Sequence, residues 1–227
     1  MSEQLHQIAL DLPARPVRFD AATYIVTDAN RNAYDTALAW LRSDDAAIAI
    51  SGGSGSGKTH LGYVLAERAG GKVLTNPGDL NVASVNEPVL IVDNLPGELT
   101  GRELLAGLNS AMTKGKRLAL FGVGEPANWA GGLRDLETRL AAMPHAEIGQ
   151  PDEELLRLVM LKRFRDRQIA IEPRVIDYAA PRIARTFAAA RIFVERVDRL
   201  ALESKRPVTI ALARKTVEAL SDDQQPV

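Results

Sequence analysis

One glycine-rich segment combines residue types that could hold a phosphate group. Residues 52–59 match the pattern G-x-x-x-x-G-K-[ST] in full. Several backbone N–H groups can turn inward only where the chain carries little Cβ bulk, and the start of a helix adds a favourable partial charge. Lys58 would pair with the β- and γ-phosphates of a nucleotide, and the Thr59 hydroxyl would coordinate Mg²⁺. The predicted phosphate-binding residues are Gly52, Gly53, Ser54, Gly55, Ser56, Gly57, Lys58 and Thr59.

A carboxylate follows a second apolar run. Residues 89–92 read Val-Leu-Ile-Val, which predicts a buried strand, and Asp93 comes next. An aspartate at the end of a strand is often only a turn residue. Beside a phosphate loop, however, it would lie next to the bound Mg²⁺. Thr59 and Asp93 are therefore the predicted metal ligands.

The elements around these residues alternate between strand and helix. Apolar residues recur at helical spacing from Ala29 to Arg42, and strand-length apolar runs follow. Such alternation predicts an α/β fold whose mostly parallel sheet is covered on both faces. The predicted strands are 46–50, 73–75, 89–92 and 118–121, and the predicted helices between them are 59–68 and 102–114.

No further strand is predicted after about residue 149, and helices take over. Prolines and acidic residues mark helix starts at 151–154, 173 and 181–182, and a last helix begins near Thr209. These helices predict a small all-helical lid. The predicted division is an extended tail at 1–20, an α/β nucleotide-binding core at 21–150, a helical lid at 151–220 and a disordered tail at 221–227.

The composition excludes several classes of function. The chain has 28 Lys and Arg against 29 Asp and Glu, so no field of one sign attracts nucleic acid. It has no cysteine, and its three histidines share no ligand-like spacing, which argues against a zinc enzyme. No apolar stretch is long enough to span a bilayer or act as a signal peptide. A cytoplasmic protein without a membrane partner is expected.

The order of these segments resembles an AAA+ ATPase module with its lid. From about Gln7 to Leu220 the chain is similar to the Hda family, DnaA-related regulators that inactivate the initiator of bacterial chromosome replication. Four segments carry the resemblance: Gln7–Leu12 (Q-x-x-L-x-L), Phe19 with Asn30 to Trp40, Leu133–Leu140 (L-x-D-L-x-S-R-L) and Asp198-Arg199.

The resemblance implies partners and roles. In that family the Q-x-x-L-x-L segment engages the β sliding clamp of DNA polymerase III, which implies clamp contacts by Gln7, Ile8, Leu10 and Leu12, although an overlapping register from Gln4 exists. Asn30 would run alongside the adenine. Arg139 would be an arginine finger that reaches ATP bound by DnaA, although a cation near a helix end can equally be structural. Contact with DNA would be mostly indirect, through the clamp.

The chain also departs from the AAA+ pattern. Asn94 stands where these ATPases usually carry a second acid, and a neutral amide cannot accept a proton from the attacking water. The sensor 2 arginine aligns with Ala188, which leaves Arg185 and Arg191 as neighbouring substitutes. The sensor 1 strand offers no clear polar residue. These departures imply that a nucleotide is held with Mg²⁺ as a structural and assembly ligand and that intrinsic ATPase activity is weak. The resemblance favours ADP over ATP, because ADP is the working ligand of the Hda family.

Three functions compete at this stage. The leading one is a regulator that activates the ATPase of DnaA. An ATP-hydrolysing AAA+ motor such as a helicase loader is the second, and a small-molecule P-loop kinase is the third. Sequence-specific DNA binding is not expected, because the chain ends where the lid ends and residues 152–206 carry a mild excess of 13 basic over 9 acidic residues.

Overall fold

The computed structural model describes residues 21–74, 85–204 and 206–222. Strands and helices alternate first, and helices alone follow. The strands are β1 (Ala47–Gly52), β2 (Lys72–Leu74), β3 (Val89–Leu95), β4 (Arg117–Gly122) and β5 (His145–Ile148). The helices are α1 (Asp28–Trp40), α2 (Lys58–Ala69), α3 (Gly101–Thr113), α4 (Arg134–Ala142), α5 (Glu153–Asp166), α6 (Pro173–Ala179), α7 (Phe187–Ser204) and α8 (Ile210–Asp222).

The five strands form one parallel sheet in the order β2-β3-β4-β1-β5. Ala47 of β1 lies opposite Leu118 of β4, and Ala49 lies opposite His145 of β5. β1 is therefore paired on both sides, so the loop that follows it leaves from inside the sheet. The prediction of a parallel α/β sheet is confirmed.

The two faces of the sheet are covered by different helices. Ile48 and Ile50 of β1 pack in a buried cluster with residues of α1 and α2, whereas Ala49 packs with residues of α3 and α4. Neighbouring strand residues point to opposite faces, which explains this division. The glycine-rich loop and α2 thus belong to one face, and α3 and α4 belong to the other.

The last four helices, α5 to α8, share a hydrophobic cluster of their own. Its buried members include Phe164 of α5 and Phe193 of α7, and all of them lie between residues 156 and 220. These helices contact the α/β part of the chain. For example, Lys162 Nζ donates hydrogen bonds to the backbone oxygen and the hydroxyl of Thr23, at 3.4 and 3.3 Å. Within the described residues, no helix is long and apolar enough to cross a membrane.

Two elements were not predicted from the sequence. β5 has only four residues, and its side chains alternate between exposed and buried because it is an edge strand with one covered face. α4 has only two buried residues, Leu136 and Leu140, among many charged ones. Both elements are short, so their apolar periodicity is weak.

Two predicted boundaries were wrong. The helix expected from Pro181 or Arg182 begins only at Phe187, because residues 180–182 form a 3₁₀ turn and Thr186 caps α7 by accepting the Ala189 N–H at 3.0 Å. The strand expected to end at Val92 continues to Leu95. Its pairing with β4 shifts between Val92 and Leu95, which is a bulge that places Asp93 inside the strand.

Candidate nucleotide-binding site

The glycine-rich loop joins the end of β1 to the start of α2. Its backbone turns through two residues with positive φ, Gly55 at 74° and Gly57 at 94°. Gly57 is the N-cap residue of α2. Residues with a Cβ rarely adopt such angles, so these two glycines are required by the turn. The N-terminal end of α2 therefore opens directly onto the loop.

The first two glycines of the loop differ in the space around them: Gly52 is tightly packed, and Gly53 is not. A Cβ on Gly52 would lie 2.7 Å from Ser56 Oγ, whereas a Cβ on Gly53 would meet no atom within 4 Å. Gly52 is thus needed for close packing beneath the loop. The space around Gly53, and the exposure of Ser54 and Gly55, leave the outer side of the loop open to a ligand.

Lys58 is folded onto this loop. Its side chain is 8% exposed, and its Nζ donates hydrogen bonds to the carbonyl oxygens of Gly52 and Gly53, both at 2.8 Å. Burial lowers the pKa of the Lys58 ammonium, and the nearby Asp93 carboxylate opposes that shift. An ammonium has three N–H donors, so one remains for a phosphate oxygen.

Thr59 and Asp93 meet beside Lys58. Thr59 Oγ1 donates a hydrogen bond to Asp93 Oδ2 at 2.5 Å, and Asp93 is 5% exposed. A hydroxyl and a carboxylate are oxygen ligands of the kind Mg²⁺ prefers. In the described part of the chain, no group of three or more His, Cys, Asp or Glu could hold a metal ion. Magnesium held here would take its other ligands from phosphates and water.

Ser56 carries a hydroxyl that lacks a partner. The residue is 4% exposed, and its Oγ has no hydrogen-bond partner among the described residues. Such a buried polar group costs free energy unless a ligand or water satisfies it. The open loop, the remaining Lys58 donor, the Thr59–Asp93 pair and this hydroxyl together fit the phosphates of a nucleotide.

The lid touches the loop where α7 begins. A Cβ on Gly55 would lie 3.2 Å from Phe187 Cβ and 4.0 Å from the backbone nitrogen of Ala188. Arg185 is exposed and lies two residues before this contact. Arg191 lies one turn into α7 and pairs with Glu195 at 3.1 Å. Of the two candidate sensor arginines, Arg185 has the guanidinium without an ion pair among the described residues.

Asn94 adopts an unusual backbone conformation. Its φ is 68°, and its side chain is exposed in the bulge of β3. Asparagine tolerates the left-handed region better than most residues, because its short polar side chain can bond locally. The backbone at this position therefore favours Asn, Asp or Gly over Glu.

The side-chain amide of Asn30 forms hydrogen bonds within the chain through both its oxygen and its nitrogen. The residue is 3% exposed. Its Oδ1 accepts the Thr27 N–H at 2.9 Å, and its Nδ2 donates to the Ile25 carbonyl at 2.8 Å. These bonds close the N-terminus of α1 and hold the segment before it. A contact of Asn30 with adenine stays a prediction.

Sequence reasoning did not identify an aromatic group beside the loop. The ring of Tyr24 stacks on Tyr34 with centroids 5.6 Å apart and meets His60 edge to face at 5.1 Å. Its Cε2 lies 3.8 Å from the position of a Cβ on Gly57. The three rings come from three separate segments, so only the folded chain brings them together.

Arg139 lies away from the loop, on α4. Its side chain is 41% exposed, and its Nε pairs with Asp135 Oδ1 of the same helix at 3.2 Å. Its Nη1 donates a hydrogen bond to Asn109 Oδ1 of α3 at 2.8 Å. Both partners belong to the face of the sheet opposite to α2. Arg139 therefore makes its contacts outside the candidate nucleotide site.

The remaining predicted contact residues, Gln7, Ile8, Leu10 and Leu12, lie outside the described residues.

Known proteins resemble the chain at the level of sequence and of fold. No protein-family model matches. The chromosomal replication initiator protein DnaA of Thermomicrobium roseum is 25% identical over an alignment of 239 positions, which covers 90% of this chain and 50% of that protein. The chain thus spans about half the length of this curated relative.

Solved structures resemble the chain in fold. Domain III of Thermotoga maritima DnaA matches with a TM-score of 0.74 and 19% identity, over 92% of this chain and 99% of that one. DnaA from Aquifex aeolicus bound to AMPPCP matches with a TM-score of 0.63 and 19% identity, over 84% and 68%. The Thermotoga maritima RuvB branch migration motor matches with a TM-score of 0.64 and 18% identity, over 86% and 70%.

These matches confirm the predicted fold class, an AAA+ P-loop core with a parallel sheet followed by helices. The chain is thus similar in sequence to part of a replication initiator and similar in fold to its AAA+ domain.

Proposed function

We propose that this chain is a nucleotide-bound AAA+ regulator that stimulates ATP hydrolysis by the replication initiator DnaA and so prevents excess initiation. The observation that carries this proposal is the position of Arg139. Its guanidinium is exposed on the face opposite to α2 and contacts α3 and α4 rather than the loop. Such a cation can serve the nucleotide of a neighbouring molecule.

The regulator would hold ADP or ATP with Mg²⁺ through its own loop. Backbone N–H groups of residues 52–57 and the Lys58 ammonium would bind the phosphates, and Thr59 and Asp93 would coordinate the metal. Magnesium supplies positive charge that neutralises phosphate oxygens. Related DnaA structures contain the nucleotide analogue AMPPCP, which supports the same class of ligand here.

Hydrolysis by the chain itself would be slow. Asn94 stands in the position of a second acid, and an amide cannot take a proton from water. Of the two candidates for the sensor 2 role, Arg185 precedes α7, and Arg191 lies on α7 but pairs with Glu195. This set of residues favours a regulator over an ATP-hydrolysing motor, which is the second candidate.

The acceleration would come from Arg139 acting in trans. An arginine at the γ-phosphate stabilises charge that develops in the transition state, and where GTPases use one it is worth roughly 10³ to 10⁵ in rate. Its outward exposure leaves the guanidinium accessible to ATP bound by DnaA. The hydrolysed ATP would belong to that partner.

Docking on the β sliding clamp would use Gln7, Ile8, Leu10 and Leu12. The support for this step is the sequence pattern alone: alternating apolar residues flanked by prolines suit an extended peptide that fills pockets on a partner. The clamp would bring the regulator to DNA, so that its own contact with DNA stays mostly indirect.

The decisive experiment measures hydrolysis of ATP pre-bound to DnaA. We expect the wild-type chain to accelerate it when the clamp is loaded on DNA, and Arg139→Ala to remove the acceleration while ADP binding is retained. Arg134→Ala is the matched control, because Arg134 is exposed on the same helix, whereas the hydrogen bond to Asn109 comes from Arg139. No acceleration by the wild-type chain under any condition would reject the proposal.

The docking step is tested separately. The triple change Gln7→Ala, Leu10→Ala and Leu12→Ala should abolish co-elution with the clamp and leave ADP affinity unchanged. A triple variant that still co-elutes would reject these residues as the docking segment. Loss of ADP binding as well would indicate that they belong to the folded core.

A further inference from the structure

Two side chains hold the Arg139 guanidinium from different helices. Asp135 lies one turn earlier on α4 and accepts from Nε at 3.2 Å. Asn109 lies on α3, thirty residues away in sequence, and accepts from Nη1 at 2.8 Å. Contacts from two helices fix both the distance and the direction of a long side chain, which one contact along its own helix cannot do.

These two hydrogen bonds use only part of the Arg139 guanidinium. An arginine has five N–H donors in a planar fork, and Asn109 and Asp135 use two of them. Three donors remain for an external acceptor. A phosphate takes two such donors at once when the fork is correctly aimed.

The two holding residues differ in charge and therefore in effect. Asn109 is neutral, so it orients the guanidinium without cancelling its charge. Asp135 pairs with it as a carboxylate whose side chain is 62% exposed. An exposed ion pair of this kind is weak in water, so the carboxylate reduces the attraction of Arg139 for a phosphate only slightly.

We propose that Asn109 and Asp135 are positioning residues that aim Arg139 at the γ-phosphate of ATP bound by a partner molecule. This inference rests on the proposed function, because it concerns the same trans contact. A long arginine side chain has many rotamers, and a displacement of about 1 Å at a reacting group can cost a hundredfold in rate. Holding the guanidinium before the partner arrives avoids that loss.

Loss of a hydrogen-bond acceptor and loss of the carboxylate charge should have different effects on the stimulated rate. Asn109→Ala removes the contact from α3 and should lower the maximal stimulated rate roughly tenfold to a hundredfold. Asn109→Asp keeps an oxygen acceptor and should restore much of that rate. Asp135→Ala removes the acceptor of Arg139 Nε and should lower the maximal rate, whereas Asp135→Asn keeps an acceptor, removes the opposing charge and should not lower it.

A purely structural role for Asn109 would make Asn109→Ala lower the thermal stability of the chain. A positioning role predicts a different result. Asn109 is exposed in the middle of α3, and alanine is the better helix former, so Asn109→Ala should not lower thermal stability. The concentration of the chain at half-maximal stimulation should also stay unchanged, because the contact orients Arg139 rather than binds the partner. The control is Thr113→Ala, one turn further along the same helix, which removes a hydrogen bond to the Asn109 carbonyl oxygen at 2.9 Å but not the contact of Asn109 with Arg139, so the maximal rate should stay unchanged.

The experiment is a double-mutant cycle on the hydrolysis of ATP pre-bound to DnaA. If Asn109 acts through Arg139, Asn109→Ala should lower the stimulated rate less in an Arg139→Lys background, which keeps a cation but has no Nη1 for Asn109, than in the wild type. A wild-type chain that stimulates, combined with an Asn109→Ala variant of unchanged maximal rate, would overturn this inference alone. Equal, additive losses in both backgrounds would also overturn it. A wild-type chain that does not stimulate would overturn the proposed function and this inference together.

Discussion

The glycine-rich loop and the helix pair α3 and α4 hold a cationic side chain in opposite ways. Lys58 is 8% exposed and bonds to carbonyls five and six residues before it in the chain. Arg139 is 41% exposed, and its defining partner, Asn109, lies thirty residues away on another helix. A buried, locally held cation suits a ligand enclosed by the same chain. An exposed cation held from two helices suits a ligand presented by another molecule.

The sheet separates the two regions. Lys58 opens α2, which packs on one face, while Arg139 lies on α4, which packs with α3 on the other. Changes in one region should therefore have small effects on the other, because distant sites without shared partners behave additively. The following predictions use this independence, beginning with the largest expected effect.

The first prediction concerns Lys58→Ala. Ligand binding to the native state alone stabilises it by RT ln(1 + [L]/Kd), about 4.1 kcal/mol at ADP concentrations a thousandfold above Kd. Without the ammonium, most of this stabilisation should disappear at the same ADP concentration. The measurement is the ADP-induced shift in thermal unfolding, compared with the unfolding of each variant without nucleotide.

Arg139→Ala is the control from the opposite face. It should show the same ADP-induced shift as the wild type, since its contacts lie on α3 and α4. An equal loss of the shift in both variants would contradict the separation of the two regions. A full shift in Lys58→Ala would contradict the phosphate-binding role of the loop.

The second prediction concerns the contact between loop and lid. Gly55→Ala forces a Cβ into a residue with φ of 74°, 3.2 Å from Phe187 Cβ, whereas Gly70→Ala does so at φ of 61° with no atom within 4 Å. Both variants should lose roughly 1 kcal/mol from the left-handed backbone. Gly55→Ala should lose about 2 kcal/mol more from overpacking against the lid.

Chemical denaturation of both variants measures this difference. Gly70 is the C-cap residue of α2, the helix that follows the loop. Gly70→Ala therefore controls for backbone strain without the contact with Phe187. Equal losses would mean that α7 yields freely and that the loop does not sense the lid.

The contrast between the regions also explains what the sequence could predict. The conformation of the glycine-rich loop was predictable because its pattern lies in consecutive residues, several of which must be glycine for the backbone to turn. The contact between Asn109 and Arg139 was not, because only the folded chain brings these two residues together. The helix that carries Arg139 was also missed, since α4 buries only Leu136 and Leu140.

Backbone conformation was the other source of error. Asp93 was expected at the end of a strand, but a bulge carries β3 two residues further, to Leu95. Such bulges depend on pairing with a neighbouring strand and leave no periodic signal in the sequence. The same bulge gives Asn94 its positive φ, which composition alone could not indicate.

The last prediction has the smallest effect on stability and concerns Asn94. Glutamate at a φ of 68° should cost about 1 kcal/mol in unfolding free energy, whereas aspartate, which tolerates the left-handed region, should cost little. Either acid restores a group that can orient water beside Asp93, so both should raise intrinsic ATP turnover. Denaturation curves and turnover assays of Asn94→Asp and Asn94→Glu measure the two effects. If turnover does not rise in either variant, the missing sensor contacts limit hydrolysis rather than Asn94. If Asn94→Glu is as stable as Asn94→Asp, the bulge relaxes readily, and the backbone does not explain why an amide occupies this position.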